Sequence, residues 1–235
     1  MPPAEDPHGP LSPLLLALTV VTGLVDAFSY LVLGHVFVAN MTGNVVFLGF
    51  ALAGAAGFSI SASLFALGAF CLGALAGGRL GKYLRTHRGR LLTVASAAEA
   101  ILVGGSVAMA ATASNPGGSG TRYVLIVLLG LAMGVQNAVA RKLAVPDLTT
   151  TVLTLTITGI VADGRLAGGG GSKAGRRLLS VLAMFVGGVV GALLILRVGR
   201  TLEIAVALAI LCVVAATGAT VSRTGRGWIH PRPAN

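Results

Sequence analysis

The sequence predicts an all-α polytopic membrane protein. It reads as about six transmembrane helices plus two short broken or re-entrant helices, arranged as an inverted internal repeat. Three observations lead there. Only 10% of the 235 residues are charged and 55% are hydrophobic, whereas a soluble domain carries about 25% charge. Apolar runs near the roughly 20 residues that cross a hydrocarbon core recur from Leu11 to Val221. Basic residues also segregate sharply once two of those runs are taken not to cross.

With so few charges no separate soluble domain fits. The chain reads as one transmembrane domain, 1–235, with repeat halves of about 12–112 and 122–221 and a tail at 222–235. The net charge of +10 does not signal nucleic acid. The basic residues lie in short connectors and the tail, and aromatics, which would interleave with them on a nucleic-acid surface, are only 5%. The tail "SRTGRGWIHPRPAN" suits either contact with anionic lipid or a solvated stop. Cys71 and Cys212 fall in apolar runs, with neither metal nor disulfide spacing. "MPPAEDPHGP" carries no Lys or Arg ahead of the first apolar run. A secretory signal would have them, so Leu11 onward reads as a retained first helix.

Taken in order, the apolar segments are 12–34, 37–55, 58–78, 91–112, 122–142, 148–163, 178–197 and 201–221. The connector "RLGKYLRTHRGR" is strongly basic, and "GRLAGGGGSKAGRR" is basic and glycine-rich. "SNPGGSG" is an uncharged turn. A weak duplication is visible. "GLVDAFSYLVLG" at 23–34 resembles "GVQNAVARKLAV" at 134–145, and "MTGNVVFL" at 41–48 resembles "LTTTVLTL" at 148–155. Gly73 and Gly77 recur as Gly187 and Gly191.

Charge decides the crossing number. If all eight segments cross, Lys and Arg divide eight against nine. If the second and sixth dip in and return, they divide fourteen against three. The positive-inside rule selects six crossings, with both termini in the cytoplasm. Each half then crosses three times, so the halves are inverted. Asn40 or Thr42 is placed to cap a helix running from Gly43, and Pro146 and Asp147 a helix from Leu148. Two half-helices entering from opposite faces would point their positive dipole ends at one midplane site.

"VDAFSYLVLGHVFVANMTGNVVFLG" together with "GVQNAVARKLAVPDLTTTVLTLTITGIVAD" is similar to the YoaK-like family, small bacterial inner-membrane proteins of unknown function. The resemblance runs from about Leu14 to Val221. It implies a bacterial cytoplasmic-membrane protein of about six helices, and no reaction or substrate.

Function must therefore come from the residues. Asp26 lies within the first segment, where a carboxylate costs roughly 2.5–3.5 kcal/mol and needs a partner. It reads either as a proton, cation or solute site or as a clamp on "ANMTGN". Ser29 and Tyr30 share its face, and its repeat counterpart is the uncharged Asn137. Asn40, Thr42, Gly43 and Asn44 exceed what one cap requires, so they also read as solute-lining. Gln136 and Asn137 sit together, with Arg141 four residues on, to snorkel or to bind an anion. Asp147 reads as a cap or a ligand, and Thr150, Thr154 and Thr158 as a hydroxyl stripe that lines a pore or bonds to its own helix. Glu99 would pair with an arginine or line a cavity, and Glu203 would be interfacial. Gly73/Gly77, Gly130/Gly134 and Gly187/Gly191 suit close helix contact, within the chain or in a homo-oligomer. "GGGG" lacks phosphate-loop spacing, His35, the one of four histidines near the bilayer, makes no metal site alone, and no cofactor or enzyme motif is present.

The reading is thus an integral membrane protein, not an enzyme. It is a transporter or channel for a small polar solute bound between two half-helices, with a non-transporting scaffold or partner subunit as the alternative.

Overall fold

A computed structural model describes residues 9–113, 117–145, 153–162 and 174–223. Among them the secondary structure is helical: α1 Leu11–Val32, α2 Met41–Leu52, α3 Ile60–Tyr83, α4 Arg88–Thr112, α5 Ser119–Leu143, α6 Leu153–Ala162, α7 Ala174–Arg197 and α8 Arg200–Ser222. Six of these are long and apolar enough to cross a membrane: α1, α3, α4, α5, α7 and α8.

Local chemistry sets the ends. Ser59 Oγ accepts from the Ala62 amide at 3.3 Å to start α3, and the His87 ring accepts from the Arg90 amide at 3.1 Å to start α4. Gly34 at φ +82° turns the chain out of α1. Along α3, α4, α7 and α8 large apolar side chains point outward, Leu72 at 61%, Ile101 at 76%, Phe185 at 65% and Val213 at 63% exposure. Water would penalise such surfaces, and lipid removes that penalty.

α1 and α5 are the most enclosed spans. With α4 and α8 they form a ring in which α1 touches α5, α5 touches α4, α4 touches α8 and α8 touches α1. α3 lies on the outside against α5, and α7 on the outside against α1. α2 rests on α3, and α6 on α7. Each helix contact recurs when α1–α4 are exchanged with α5–α8.

The duplicated glycines carry this correspondence to the atom. A Cβ on Gly23 would lie 2.4 Å from Met184 O and 2.8 Å from Gly188 N. A Cβ on Gly134 would lie 2.2 Å from Phe70 O and 2.7 Å from Ala74 N. Gly73 and Gly187 make the reciprocal contacts, against Leu131 O and Val20 O. The glycine faces are therefore spent on contacts within the chain, where only a missing side chain lets two backbones meet.

Two further contacts fix the levels of the elements. Arg122, near the start of α5, donates from Nη2 to Gly34 O beyond the end of α1, at 3.2 Å. Gln136, late in α5, donates to Thr22 Oγ1 and Leu18 O, earlier in α1. α1 and α5 are thus antiparallel. His35 Nδ1 lies 3.0 Å from Gly57 O, so the chain enters and leaves α2 at the same end of the molecule. α2 has 12 residues, about 18 Å of helix, too short for a core of about 30 Å. The second segment therefore does not cross, as the charge distribution predicts.

Candidate functional site

The chain after α1 folds back alongside it. The amides of Val38 and Ala39 donate to Asp26 Oδ1 at 3.2 and 3.0 Å, and Asn40 Nδ2 donates to Asp26 Oδ2. Asp26 lies six residues before the end of α1, roughly 9 Å below it. The stretch 36–40 thus dips inward, and α2 runs back out from Met41. Asp26 is 4% exposed and both its oxygens are engaged. It is the clamp on the broken segment, one of the two roles its sequence allowed.

Asn44 does a second clamping job. Its Oδ1 accepts from the Phe37 amide at 2.9 Å, and its Nδ2 donates to Phe37 O at 2.5 Å. One amide side chain thereby satisfies both backbone groups of a residue that no ladder or helix serves. Asn44 is the one buried residue of α2.

The expected cap is different in the structure. Helix α2 starts at Met41, not Gly43, and Asn40 at its N-cap makes no side-chain bond to the helix amides. Its Nδ2 donates to Asp26 instead, which turns the carboxamide toward α1. Thr42 is exposed and does not join the cluster. Gly43 is needed for contact, since a Cβ there would lie 2.7 Å from the Phe37 ring.

An aromatic cluster encloses this segment, which the sequence reading missed. Tyr30 stacks on Phe37 at 5.1 Å, Phe37 on Phe47 at 5.5 Å, and Phe47 and Phe50 meet Phe58 at 5.2 and 5.3 Å. The signal was available: four of the chain's eight phenylalanines fall between positions 37 and 58.

Gln136 belongs to a separate group one turn further in. Its Nε2 donates to Thr22 Oγ1 at 2.7 Å and to Leu18 O at 3.3 Å. Thr19, Thr22, Asp26 and Ser29 form a buried polar stripe along α1, of which Thr19 and Thr22 were not anticipated. Threonine hydroxyls that bond the carbonyl a turn back, here Leu15 O and Leu18 O, look inert in a sequence. Asn137 Nδ2 donates to Met133 O within its own helix, at 2.8 Å.

Asp147 and Thr150, with Pro146 and Asp163, lie outside the described residues. Of the threonine stripe, Thr154 and Thr158 are exposed, and Thr156 is the buried hydroxyl of α6. Glu203 lies in the first turn of α8, near the end as expected, but enclosed: at 0% exposure its oxygens have no hydrogen-bond partner among the described residues. Glu99 has no arginine partner there either, and its Oε2 is unpartnered.

Six apolar spans around an apolar core that holds a few buried polar groups, with a seventh helix that enters and withdraws, define a polytopic integral membrane protein. The surroundings of its outer helices are a lipid bilayer. The chain matches the family described as "Protein of unknown function (DUF1275)" over residues 14–217, and it belongs to that family. It is 37% identical over 156 residues to the UPF0700 transmembrane protein YoaK of Bacillus subtilis (strain 168), a match covering 65% of this chain and 68% of that protein. No solved structure matches.

Proposed function

We propose that this protein is a transporter or channel for a small polar solute, built as an inverted repeat in the bacterial cytoplasmic membrane with both termini inside. The observation that carries the reading is the broken second segment. Helix α2 begins at the depth of Asp26 and its N-terminus takes no side-chain cap; the Gly43 amide turns back to Asn40 O at 3.1 Å, which leaves the amides of Met41 and Thr42 available. Discontinuous helices whose N-termini open at depth are a recurrent way of binding polar solutes in transporters. Non-helical backbone such as 36–40 is stable at depth only inside protein or beside a wet cavity. The antiparallel α1 and α5 and the twice-used glycine contact support the inverted repeat. The bases Arg122 and Arg200 fall at the three-base end, and Arg88 and Lys142 at the other, which supports the orientation. No enzymatic reaction is proposed.

The test is reconstitution in liposomes, with shrink–swell light scattering across a panel of polyols, amino acids and monocarboxylates. The reading expects at least one solute to move faster than in protein-free vesicles, and Thr42→Ala or Asn40→Ala to alter that rate. Vesicles that move none of the panel would refute it. One observation favours the scaffold reading instead: Asp26 and Asn44 spend their polar atoms inside the chain. On that reading a stoichiometric partner co-purifies and no solute moves.

A further inference from the structure

A second polar group lies in the helix ring, and the reading above does not use it. Glu99 sits eleven residues past the start of the 25-residue α4, near its middle. It is 1% exposed, and its Oε2 has no hydrogen-bond partner among the described residues. Of the other buried atoms in that condition, two bear on it: Ser96 Oγ, one turn earlier on α4, and Gln136 Oε1 on α5.

These groups lie within one helical turn of the same level of the bundle. α4 and α5 run antiparallel, for Arg88 Nη2 donates to Leu143 O, and a Cβ on Gly105 would lie 3.8 Å from Leu128 Cδ1. That register sets Ser96 level with Gln136 and Glu99 level with Met133, a turn away. Gln136 already spends its amide nitrogen on Leu18 O and Thr22 Oγ1. What remains is a carboxyl oxygen, a hydroxyl and an amide oxygen, a group rich in acceptors and short of donors.

No cation among the described residues serves it. The ionisable residues of the elements against α4 are Arg122, Tyr123, Arg141 and Lys142 on α5, Arg200, Glu203 and the exposed Cys212 on α8, and Arg79, Lys82, Tyr83 and the exposed Cys71 on α3. The bases all lie within about five residues of a helix end, and in the α4–α5 register the nearest α5 base, Arg141, is about eight residues from the level of Glu99, roughly 12 Å along the axis. Asp26 on α1 is held by its own donors. An ionised carboxylate placed this way would be a bare charge in a medium of low dielectric. A proton cancels the charge and supplies the missing donor.

We propose that Glu99, with Ser96 and Gln136 as its polar neighbours, is a proton-binding site in the middle of the membrane. The carboxylate takes its proton from water and returns it to water. In a transporter this proton is the coupling ion; that role alone rests on the transport reading, and the site itself does not.

The experiment is infrared spectroscopy of the full chain in lipid membranes, following the carboxylic-acid C=O stretch as the bathing pH is raised. The expected result is a band present at low pH, lost at high pH, absent in Glu99→Gln and retained in Glu203→Gln. Glu99→Gln keeps the shape and is neutral, so it preserves the fold; the amide I band checks this. A band unchanged by Glu99→Gln overturns the proposal. So does a Glu99 band that persists to the highest pH at which the protein stays folded, which would make the group a fixed acid. A band lost on adding sodium at constant pH would give the site to that ion instead. The liposome assay reads transport separately, so either result can fail alone.

Discussion

At the scale of single residues, Asp26 and Asn44 show how a membrane protein holds a segment that is neither helix nor sheet. Each places two polar atoms against the backbone or side chain of residues 37–40. The clamp is directional, so its chemistry is testable. In Asp26→Asn the carbonyl oxygen still accepts from Val38 or Ala39, but the new NH2 group faces the NH2 of Asn40. A mismatched buried donor costs about 1–3 kcal/mol. Asp26→Asn should lower the melting temperature in detergent, and Asn40→Asp added to it should recover part of the loss by restoring a donor–acceptor pair. An additive double mutant would show that the two side chains do not pair.

Residue identity was partly legible beforehand. A carboxylate within an apolar run announces a partner, and three polar residues in "ANMTGN" announce more than a cap. The partners themselves were not legible. The Val38 and Ala39 amides that hold Asp26 are backbone groups, which every residue but proline offers. That Glu203, in the first turn of α8, would be enclosed was not legible either. It is buried because Gly191 of α7 leaves room beside it, a Cβ there lying 3.3 Å from Glu203 Oε1.

At the scale of elements, the contacts of α1 with α7 and of α5 with α3 depend on backbones meeting without side chains. The glycine pairs were visible in the sequence, but their partners were not, because four-residue spacing names a face and not what it meets. The contrast between glycines is sharp. Gly134→Ala drives a Cβ to 2.2 Å from Phe70 O, while the Cβ of Gly105→Ala finds nothing nearer than 3.8 Å. Overpacking of the first kind costs about 1–3 kcal/mol. In the second, a mid-helix glycine replaced by alanine gains up to about 1 kcal/mol of helix propensity. Thermal melts of both variants in one detergent should shift in opposite directions. A neutral Gly134→Ala would mean that α3 and α5 are not in backbone contact.

At the scale of the whole molecule, charge and geometry agree. With two segments withdrawn from crossing, the bases of the chain divide fourteen to three. The structure returns the chain after α2 to His35, and sets Gly34 beside Arg122. Both contacts join residues that eight crossings would put on opposite faces. The ring of α1, α5, α4 and α8 was not legible, since apolar segments of similar composition do not say which is central. The inward polar residues of α1 and α5 hinted at it.

The central claim is that α2 enters the membrane and leaves by the face it came from. The most direct measurement uses a chain lacking Cys71 and Cys212, with single cysteines at the exposed positions His35, Ala55 and Arg85. Intact cells are treated with a membrane-impermeant thiol reagent before and after opening. The account predicts that positions 35 and 55 label together in intact cells, and that position 85 labels only after opening. Labelling of 35 and 55 from opposite sides would make α2 a crossing helix and contradict the fold, the charge argument and the site together.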